Sequence, residues 1–373
     1  MDFFSFSSLE KFLQALTIKN GNFILGLNEY SKSLPLSPLF LEGKWLDFGH
    51  SITYYKSRQQ LTTQRAFNDL KISGNVIEKT GKPNEKIQAE ASWYENIPPS
   101  LRLYTPAYLG RTTSKEGTSY YLSYEYLPPL SDLFVFGRLS KLSWNQIFIA
   151  CSDFLDECVR YAAPQSIGEE IPHLYNEKPR TRVDQFCCEK NLDPDENWII
   201  DGQPTPSLNE AIDRLCDILD RSGRCIPGIM HGDFCFSNIL YDTRKRAIKV
   251  VDPRGHISGY IPSLYGDLRY DVAKLAHSVV ARYDFIVSGC FSITRDGPYS
   301  ISLDMPDTLE ALMVEELFLE REFVGCSPKD VSIRAATALL FLSMLPLHGD
   351  NPQKQLAFIA TGLNICRSID GAR

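Results

Sequence analysis

The sequence predicts an α+β protein in which a small, strand-rich lobe precedes a larger helical lobe. Short runs of strand-forming residues, separated by turn signals, fill residues 59–129. From residue 130 to residue 373, apolar residues recur mainly at helical spacing. A polar loop and hairpin within residues 229–255 interrupts the helical lobe and carries the residues suited to catalysis. Residues 1–58 fit neither lobe, and we assign them to an N-terminal extension.

The composition is that of an ordinary globular protein and excludes several functional classes. The 373 residues, 43% hydrophobic and 23% charged, suffice for two or three domains or lobes. The net charge of −7, from 39 basic and 46 acidic residues, gives no basic footprint for nucleic acid or an anionic membrane. The ten cysteines include no Cys-x-x-Cys pair, which favours a reduced chain over a disulfide framework. With no basic leader and no run of membrane-span length, we expect a cytoplasmic protein.

The first two regions contain one predicted capping box, three strand candidates and one helix. Ser7 with Glu10 predicts the capping box of a short helix in the extension. The strand candidates are residues 60–65, 67–72 and 75–79, with a hairpin turn at residues 73–75. Apolar residues at helical spacing predict a helix over residues 84–97. Residues 120–129 predict a strand that runs into a proline-stopped linker.

The helical lobe is predicted from caps and apolar stripes. Ser143 can cap one helix, and Ser207 with Glu210 opens another that ends near Gly223. Residues 163–206, between these helices, are polar and irregular. Their basic residues Lys178, Arg180 and Arg182 could recognise an anionic or sugar acceptor, or they could form a solvated face. Further predictions are a helix after Asp271, a hairpin around residues 296–297, and helices at 307–323, 327–345 and 352–368.

The polar loop holds three groups that a magnesium-dependent phosphoryl transfer needs. Asp233 lies five residues before Asn238, and two short apolar runs, 239–241 and 248–251, predict a hairpin. This hairpin would place Asn238 and Asp252 at the same end. Magnesium prefers hard oxygen ligands and takes few protein carboxylates, which fits Asp252 and the Asn238 amide oxygen. Asp233 remains to accept the proton of an attacking hydroxyl.

Three segments in this order resemble the catalytic core of the aminoglycoside phosphotransferase and choline kinase-like enzymes, small-molecule kinases with a protein-kinase-like fold. The segments are His-Gly-Asp and Asn-Ile-Leu at 231–240, Val-Val-Asp at 250–252, and Gly-Asp-Leu-Arg-Tyr-Asp-Val-Ala at 266–273. The chain departs from the family in the Pro-Arg-Gly that follows Asp252, where Trp or Phe and an acidic residue are more usual. This departure does not affect the metal role of Asp252. It does weaken the resemblance as a guide to which residues bind the substrate.

The resemblance implies an ATP- and Mg²⁺-dependent phosphotransferase that acts on a hydroxyl of a small sugar, polyol or amino alcohol. It implies that Lys79 holds the α- and β-phosphates and pairs with Glu90, although Lys79 could also be a solvated hairpin lysine. It implies a hinge in which backbone groups from Glu125 to Leu127 meet adenine. Because no Gly-x-Gly-x-x-Gly is present, the phosphate-covering loop, at residues 62–68, would work without glycines.

The extension resembles the tail of a sugar nucleotidyltransferase domain, of the kind fused ahead of a kinase-like domain in some bacterial surface-polysaccharide proteins. Residues 21–30 and 44–50 carry this similarity. It lacks a glycine-rich nucleotide-binding loop, so a structural extension packed on the kinase lobe is the better interpretation. By analogy, the kinase would serve capsule or surface-polysaccharide biosynthesis.

Several individual residues have alternative interpretations. Asp233 and Asn238 could be ordinary cap or turn residues. His231 has no second His or Cys at ligand spacing, so we expect it to order the loop backbone. Arg254 could contact phosphate or acceptor, or pair with Asp267. We expect Asp271 to brace the loop, and His277 to be a packed core or edge histidine.

Two other functions remain open at this point. A protein kinase is disfavoured because Asp-Pro-Arg-Gly replaces Asp-Phe-Gly, no Ala-Pro-Glu follows, and the segment from Asp252 to Asp271 is short for an activation loop. A non-catalytic nucleotide-binding scaffold of a polysaccharide assembly complex is disfavoured by the presence of all three core residues. The sequence does not specify the acceptor, the choice of ATP or GTP, the oligomeric state, or the roles of Arg182 and His348.

Overall fold

The computed structural model describes residues 5–37, 57, 68–115, 117–161, 163–164, 173–223 and 225–370. The chain divides into two compact units, Met1–Thr62 and Thr63–Arg373. In the first unit, helices α1 (Leu9–Ile18) and α2 (Phe23–Ser31) pack around a small aromatic core. The predicted cap of α1 is wrong by one residue: the Ser8 side chain accepts from the Lys11 peptide N–H, whereas Ser7 bonds to the Tyr30 hydroxyl.

The second unit begins with a four-stranded antiparallel sheet in the order β1-β2-β4-β3. The strands are β1 (Asn68–Ser73), β2 (Val76–Gly81), β3 (Tyr108–Ser114) and β4 (Gly117–Ser123). Ser73 pairs with Val76, and Gly74 takes a positive φ of 60°, so the predicted hairpin turn is confirmed. The strand candidate at 60–65 lies outside the described residues, as does all but the last residue of the 62–68 loop.

Helix α3 (Asn84–Asn96) packs on this sheet, as the apolar spacing predicts. Its inward face buries Ile87, Ala91 and Tyr94 together with Glu90. The short helix α4 (Pro99–Arg102) then leads into β3. The predicted strand-rich first lobe is therefore confirmed, and a buried carboxylate faces the sheet from α3.

The remainder of the second unit is mainly helical, which confirms the predicted α+β class. Its helices are α5 (Leu130–Val135), α6 (Lys141–Val159), α7 (Lys178–Lys190), α8 (Leu208–Ser222), α9 (Leu268–Val279), α10 (Tyr283–Val287), α11 (Leu309–Leu319), α12 (Val331–Leu342) and α13 (Pro352–Asp370). The whole of α9 is buried, including its polar residues Arg269, Asp271, Lys274 and His277. Burial of so many polar groups on one helix is costly unless each group has a partner. The partners of Asp271 and Lys274 lie in the loop that forms the candidate site.

Several predicted elements of this lobe are corrected by the structure. The described part of residues 163–206 is not irregular, because it includes α7 and the short strands β5 (Trp198–Ile200) and β6 (Gln203–Thr205). Pro179 lies in the first turn of α7, where a helix tolerates proline. Helix α6 begins earlier than predicted, with Ser140 rather than Ser143 as its cap.

Short strand pairings complete the lobe. β7 (Pro227–Ile229) pairs with β10 (Tyr265–Asp267), and β8 (Ile239–Asp242) pairs with β9 (Ala247–Val250). β11 (Ser292–Gly297) and β12 (Ser300–Asp304) form a hairpin whose turn falls at residues 298–299 rather than at 296–297, and with β5 and β6 they make a four-stranded sheet in the order β11-β12-β5-β6. Among the described helices, none combines the length and the apolar character needed to cross a membrane.

Candidate active site

The loop that follows β7 is held by one buried carboxylate. Asp271 on α9 accepts from the peptide N–H of His231 at 2.8 Å and from that of Gly232 at 2.7 Å. Burial raises the pKa of Asp271 to about 7, although both peptide donors favour its ionised form. The expectation that Asp271 braces this loop is confirmed.

Gly232 occupies a backbone conformation that the loop needs. Its φ is +76°, and a Cβ at this position would lie 2.6 Å from Cβ of Arg254. Only glycine fits both the left-handed backbone and this close approach. The Arg254 side chain therefore runs directly beside the loop that presents Asp233.

Asp233 lies at the surface end of this loop between two donors. Lys274 Nζ is 2.8 Å from Oδ1, and Asn238 Nδ2 is 2.8 Å from Oδ2. The Asp233 side chain is 40% exposed, so it remains open to a reactant. Burial would raise its pKa, but the Lys274 ammonium outweighs this effect and holds the pKa well below its usual range. Asp233 is therefore ionised at neutral pH.

Lys274 was not among the residues selected from the sequence. It lies on α9 one turn after Asp271, and only 8% of its surface is exposed. Its pKa is raised by Asp233 despite burial, so it is a cation in the folded protein. A signal was present, because Lys274 interrupts the apolar run of α9, but no spacing in the sequence pairs Lys274 with Asp233.

Asn238 and Asp252 meet at one end of the β8–β9 hairpin, as predicted. Ile239 pairs with Val250, and the Val251 peptide N–H donates to the Asn238 carbonyl at 3.0 Å. The Asn238 Nδ2 group bonds to both the carbonyl and the carboxylate of Asp233, which turns its amide oxygen away from them. Asp252 takes a positive φ of 58°, and its side chain is 38% exposed.

Lys79 and Glu90 form a buried ion pair between β2 and α3. Lys79 Nζ lies 2.7 Å from Oε2 of Glu90 and 2.9 Å from Oδ1 of Asp252. Both Lys79 and Glu90 have side chains only 3% exposed, so Lys79 is not a solvated hairpin residue. Burial lowers the pKa of Lys79, but Asp252 and Glu90 outweigh this effect and raise it. The Tyr120 hydroxyl also donates to Glu90, at 2.9 Å.

The segment after β4 has fixed ends and peptide groups that no described backbone group engages. The peptide groups of Glu125 and Leu127 make no backbone hydrogen bond to any described residue. The flanking positions are fixed, because Tyr124 N–H donates to the Asn75 carbonyl at 2.7 Å and Tyr241 N–H donates to the Pro128 carbonyl at 3.0 Å. Fixed ends with available peptide groups suit the recognition of a planar base edge.

His231 is a packing residue. Its ring is fully buried between Trp93, Phe154 and Phe234, and the indole N–H of Trp93 donates to the Met230 carbonyl. Burial lowers the pKa of His231 to about 4, so the ring is neutral at pH 7. His277 is likewise fully buried, which confirms its interpretation as a core residue.

The basic residues near the loop each contact another part of the protein. Arg254 does not pair with Asp267; its Nη1 donates to the Tyr270 hydroxyl at 3.2 Å, while Arg269 pairs with Asp267 at 2.7 Å. Lys178 Nζ donates to the same Tyr270 hydroxyl at 3.3 Å. Arg180 pairs with Asp213, and Arg182 donates to the Ser343 carbonyl at 2.8 Å.

The donor set at the hairpin end fits a hard divalent cation. The Asn238 amide oxygen and the Asp252 carboxylate are oxygen ligands of the type that Mg²⁺ takes, with water and phosphate oxygens completing its shell. The described residues contain no group of three or more His, Cys, Asp or Glu that could hold a metal by themselves. The arrangement suits a magnesium ion that arrives with a nucleotide.

No family model and no curated protein matches this chain. Among solved structures, it is similar to the GDP complex of aminoglycoside 2'-phosphotransferase-IIIa, with 14% identity, 82% of this chain and 90% of that chain covered, and a TM-score of 0.44. It is also similar to a choline kinase from Streptococcus pneumoniae, with 12% identity, 85% and 98% coverage and a TM-score of 0.46. It is similar as well to an ethanolamine kinase from Plasmodium vivax, with 13% identity, 92% of this chain and 95% of that chain covered, and a TM-score of 0.47. At these values, function has to be inferred from the geometry of the site.

Proposed function

We propose that this chain transfers the γ-phosphoryl group of ATP, with Mg²⁺, to a hydroxyl of a small molecule. The observation that carries this proposal is a set of polar contacts that links both lobes at one place. Glu90 contacts Lys79, which contacts Asp252. At the same end of the β8–β9 hairpin, Asn238 contacts Asp233, which contacts Lys274. Phosphoryl transfer requires mainly this kind of positioning and charge stabilisation.

The nucleotide would bind on the side of the first lobe. The peptide groups of Glu125 and Leu127 would meet the base, and Lys79, oriented by Glu90, would contact the phosphates. Asn238 and Asp252 would hold Mg²⁺, which neutralises phosphate charge when bound. Lys79 already contacts Asp252 at 2.9 Å, so phosphate and metal would be held next to each other.

Asp233 would act on the acceptor. In the proposed reaction, the acceptor oxygen forms a bond to the γ-phosphorus, the bond from that phosphorus to the bridging oxygen breaks, and ADP leaves. The acceptor proton passes to Asp233 and then to water. An ionised, weakly basic carboxylate suits a loose transition state, in which the proton is lost late and orientation of the hydroxyl matters more than its early deprotonation.

A small molecule fits better than a protein as acceptor. The segment from Pro253 to Leu264 is short, and it is attached at both ends: Arg254 N–H donates to the His231 carbonyl, and Met230 N–H donates to the Leu264 carbonyl. A segment fixed in this way provides no long platform for an extended peptide. A role in capsule or surface-polysaccharide synthesis stays a prediction from the sequence.

The proposal is tested by separating nucleotide binding from turnover in two variants. We expect Asp252→Ala to weaken Mg-ATP binding about tenfold or more, because a carboxylate ligand is lost. We expect Asp233→Asn to bind Mg-ATP as the wild type does and to lose turnover. Calorimetry gives the affinities, and ADP release with a panel of sugars, polyols and amino alcohols gives the turnover.

Asp242→Asn is the matched control. Asp242 lies on the same hairpin but at its far end, where it caps the turn at Arg244 and Lys245. It should change neither measurement. Equal Mg-ATP affinity in Asp252→Ala and wild type would remove Asp252 from the metal site, and Mg-ATP binding without turnover on any acceptor would favour a scaffold.

A further inference from the structure

A basic cluster lies on the acceptor side of Asp233. We define it as Lys178 at the start of α7 and Arg254 in the loop after β9, which share the Tyr270 hydroxyl on α9. Lys178 Nζ and the Arg254 guanidinium also lie 5.9 and 5.7 Å from the centre of the Tyr270 ring. Three separate parts of the chain therefore bring two cations to one phenol.

The position of the cluster is set by the catalytic loop itself. The Arg254 N–H donates to the His231 carbonyl at 2.7 Å, and the Arg254 side chain packs on Gly232, next to Asp233. Tyr270 precedes Lys274 by one helical turn, so the two share a face of α9. The cluster and the Asp233–Lys274 pair are therefore neighbours on one surface.

The carboxylates of this region are already engaged. Asp233 pairs with Lys274, Asp252 with Lys79, and Asp267 with Arg269, while Asp271 accepts from two peptide groups. Within the described ranges, neither Lys178 nor Arg254 lies at ion-pair distance from any carboxylate. Two basic side chains that share a phenol and have no carboxylate partner among the described residues form a site that favours an anion.

The electrostatics of Lys178 reflect its basic neighbours. Burial lowers the pKa of Lys178 well below its usual range, and Arg254, Arg182 and Lys274 lower it further, against the single opposing effect of Asp233. The pKa of Arg182 is also lowered, by burial and by Arg254. A bound anion would relieve this mutual repulsion, whereas a bound cation would increase it.

We propose that the acceptor is an anionic alcohol, a phosphorylated or carboxylated sugar or polyol, whose anionic group binds Lys178 and Arg254 while its hydroxyl faces Asp233. This inference rests on the proposed kinase function and selects one class from the sugars, polyols and amino alcohols that the sequence left open. Arg254 offers a planar fork and Lys178 a point charge, a combination that accepts either phosphate or carboxylate. An amino alcohol would bring a third positive charge to the cluster.

The experiment measures anion binding with the nucleotide site filled. The protein is saturated with Mg²⁺ and a non-hydrolysable ATP analogue, and then titrated at constant ionic strength with glycerol 3-phosphate, glycerate, inorganic phosphate, glycerol and ethanolamine. We expect the anionic probes to bind at least about tenfold more tightly than glycerol or ethanolamine, because a charge-assisted hydrogen bond contributes at least a factor of ten. Among the anionic probes, the one that binds most tightly identifies the kind of site. Glycerol 3-phosphate would indicate a phosphorylated acceptor, glycerate a carboxylated acceptor, and inorganic phosphate a simple phosphate site.

Two variants locate the anion site. Lys178→Met and Arg254→Gln should each weaken the preferred anionic probe about tenfold. Lys190→Met, at the exposed C-terminal end of the same helix α7, is the matched control and should leave it unchanged. Thermal unfolding of all three variants checks that the fold is retained.

Three results would overturn the inference. The first is equal affinity for the anionic probes and glycerol, and the second is unchanged anion affinity in both cluster variants. In the third, both variants weaken the ATP analogue and not the anion, which assigns the cations to the nucleotide. Failure of the kinase proposal has a different signature, since the ATP analogue would then show no Mg²⁺-dependent binding at all.

Discussion

Removal of the Lys274 charge is the perturbation that most clearly separates a positioning role from a structural one. Lys274 Nζ lies 2.8 Å from Asp233 Oδ1, and Lys274→Met removes that contact while keeping a side chain of similar length. Asp233 would keep its bond to Asn238 and its exposure to solvent. The variant should therefore fold normally, with a changed environment at the carboxylate.

The size of the effect follows from this contact. A hydrogen bond to a charged group contributes about 1.5–3 kcal/mol. Because the Asp233 side chain is 40% exposed, solvent screens the pair, and we take about 1.4 kcal/mol. That energy corresponds to about a tenfold fall in kcat/KM and moves the acid limb of the kcat/KM profile about one pH unit towards neutral.

The direction of the pH effect has a definite sign. In the wild type, Lys274 holds the pKa of Asp233 below its usual range, so the carboxylate stays ionised through the mildly acidic range. Without Lys274, the opposing effect of burial remains, the pKa rises, and protonation inhibits turnover at a higher pH.

The assay is kcat/KM for the best acceptor as a function of pH, with Mg-ATP affinity measured in parallel. Lys274→Arg is the matched control, because it keeps the charge and should restore most of the wild-type profile. A profile in Lys274→Met that is lower at every pH but unshifted would refute the electrostatic role of Lys274. A tenfold loss of Mg-ATP affinity would place Lys274 in the nucleotide site instead.

Two further predictions concern the support of the catalytic loop. Asp271→Ala leaves the peptide donors of His231 and Gly232 without their acceptor, which should lower the free energy of unfolding by about 2–6 kcal/mol. Asp271→Asn should lower it by about half as much. Urea unfolding measures both variants, and a loss below about 1 kcal/mol in Asp271→Ala would contradict the bracing role. Burial lowers the pKa of His231 from 6.5 in the unfolded chain to about 4 in the folded protein. As the pH falls, the unfolded chain therefore binds this proton at a higher pH than the folded protein does. The free energy of unfolding should fall by about 3 kcal/mol as the pH drops through this interval. His231→Asn should show a correspondingly smaller fall between pH 7 and 4, and an identical fall in both proteins would show that His231 is not buried in its neutral form.

The parts of the fold that the sequence predicted well are those specified locally. The Gly74 turn, the α3 stripe and the Ser207 cap each depend on residues a few positions apart, and each is confirmed. Helix α7 was missed because residues 163–206 are mainly polar and contain prolines, a composition typical of loops. A helix nevertheless tolerates a proline in its first turn, which is where Pro179 lies.

The candidate site divides in the same way. The hairpin that brings Asn238 and Asp252 to one end follows from adjacent apolar runs and was predictable. The Lys274–Asp233 pair and the meeting of Lys178 with Arg254 at Tyr270 join distant segments, and only the packing of α9 against the loop and α7 brings them together. Of the two alternatives for Arg254, the pairing with Asp267 is wrong, because Arg269, two residues from Asp267, takes that place.

The most direct test of the account is to follow the γ-phosphate of labelled ATP in the presence of Mg²⁺ and an anionic alcohol, with wild type and Asp233→Asn side by side. The account predicts a phosphate ester of the acceptor, formed in equal amount with ADP by the wild type. The Asp233→Asn variant should form none while binding Mg-ATP with unchanged affinity. Ester formation by Asp233→Asn at the wild-type rate, or loss of Mg-ATP binding in that variant, would contradict the assignment of Asp233 as the residue that acts on the acceptor.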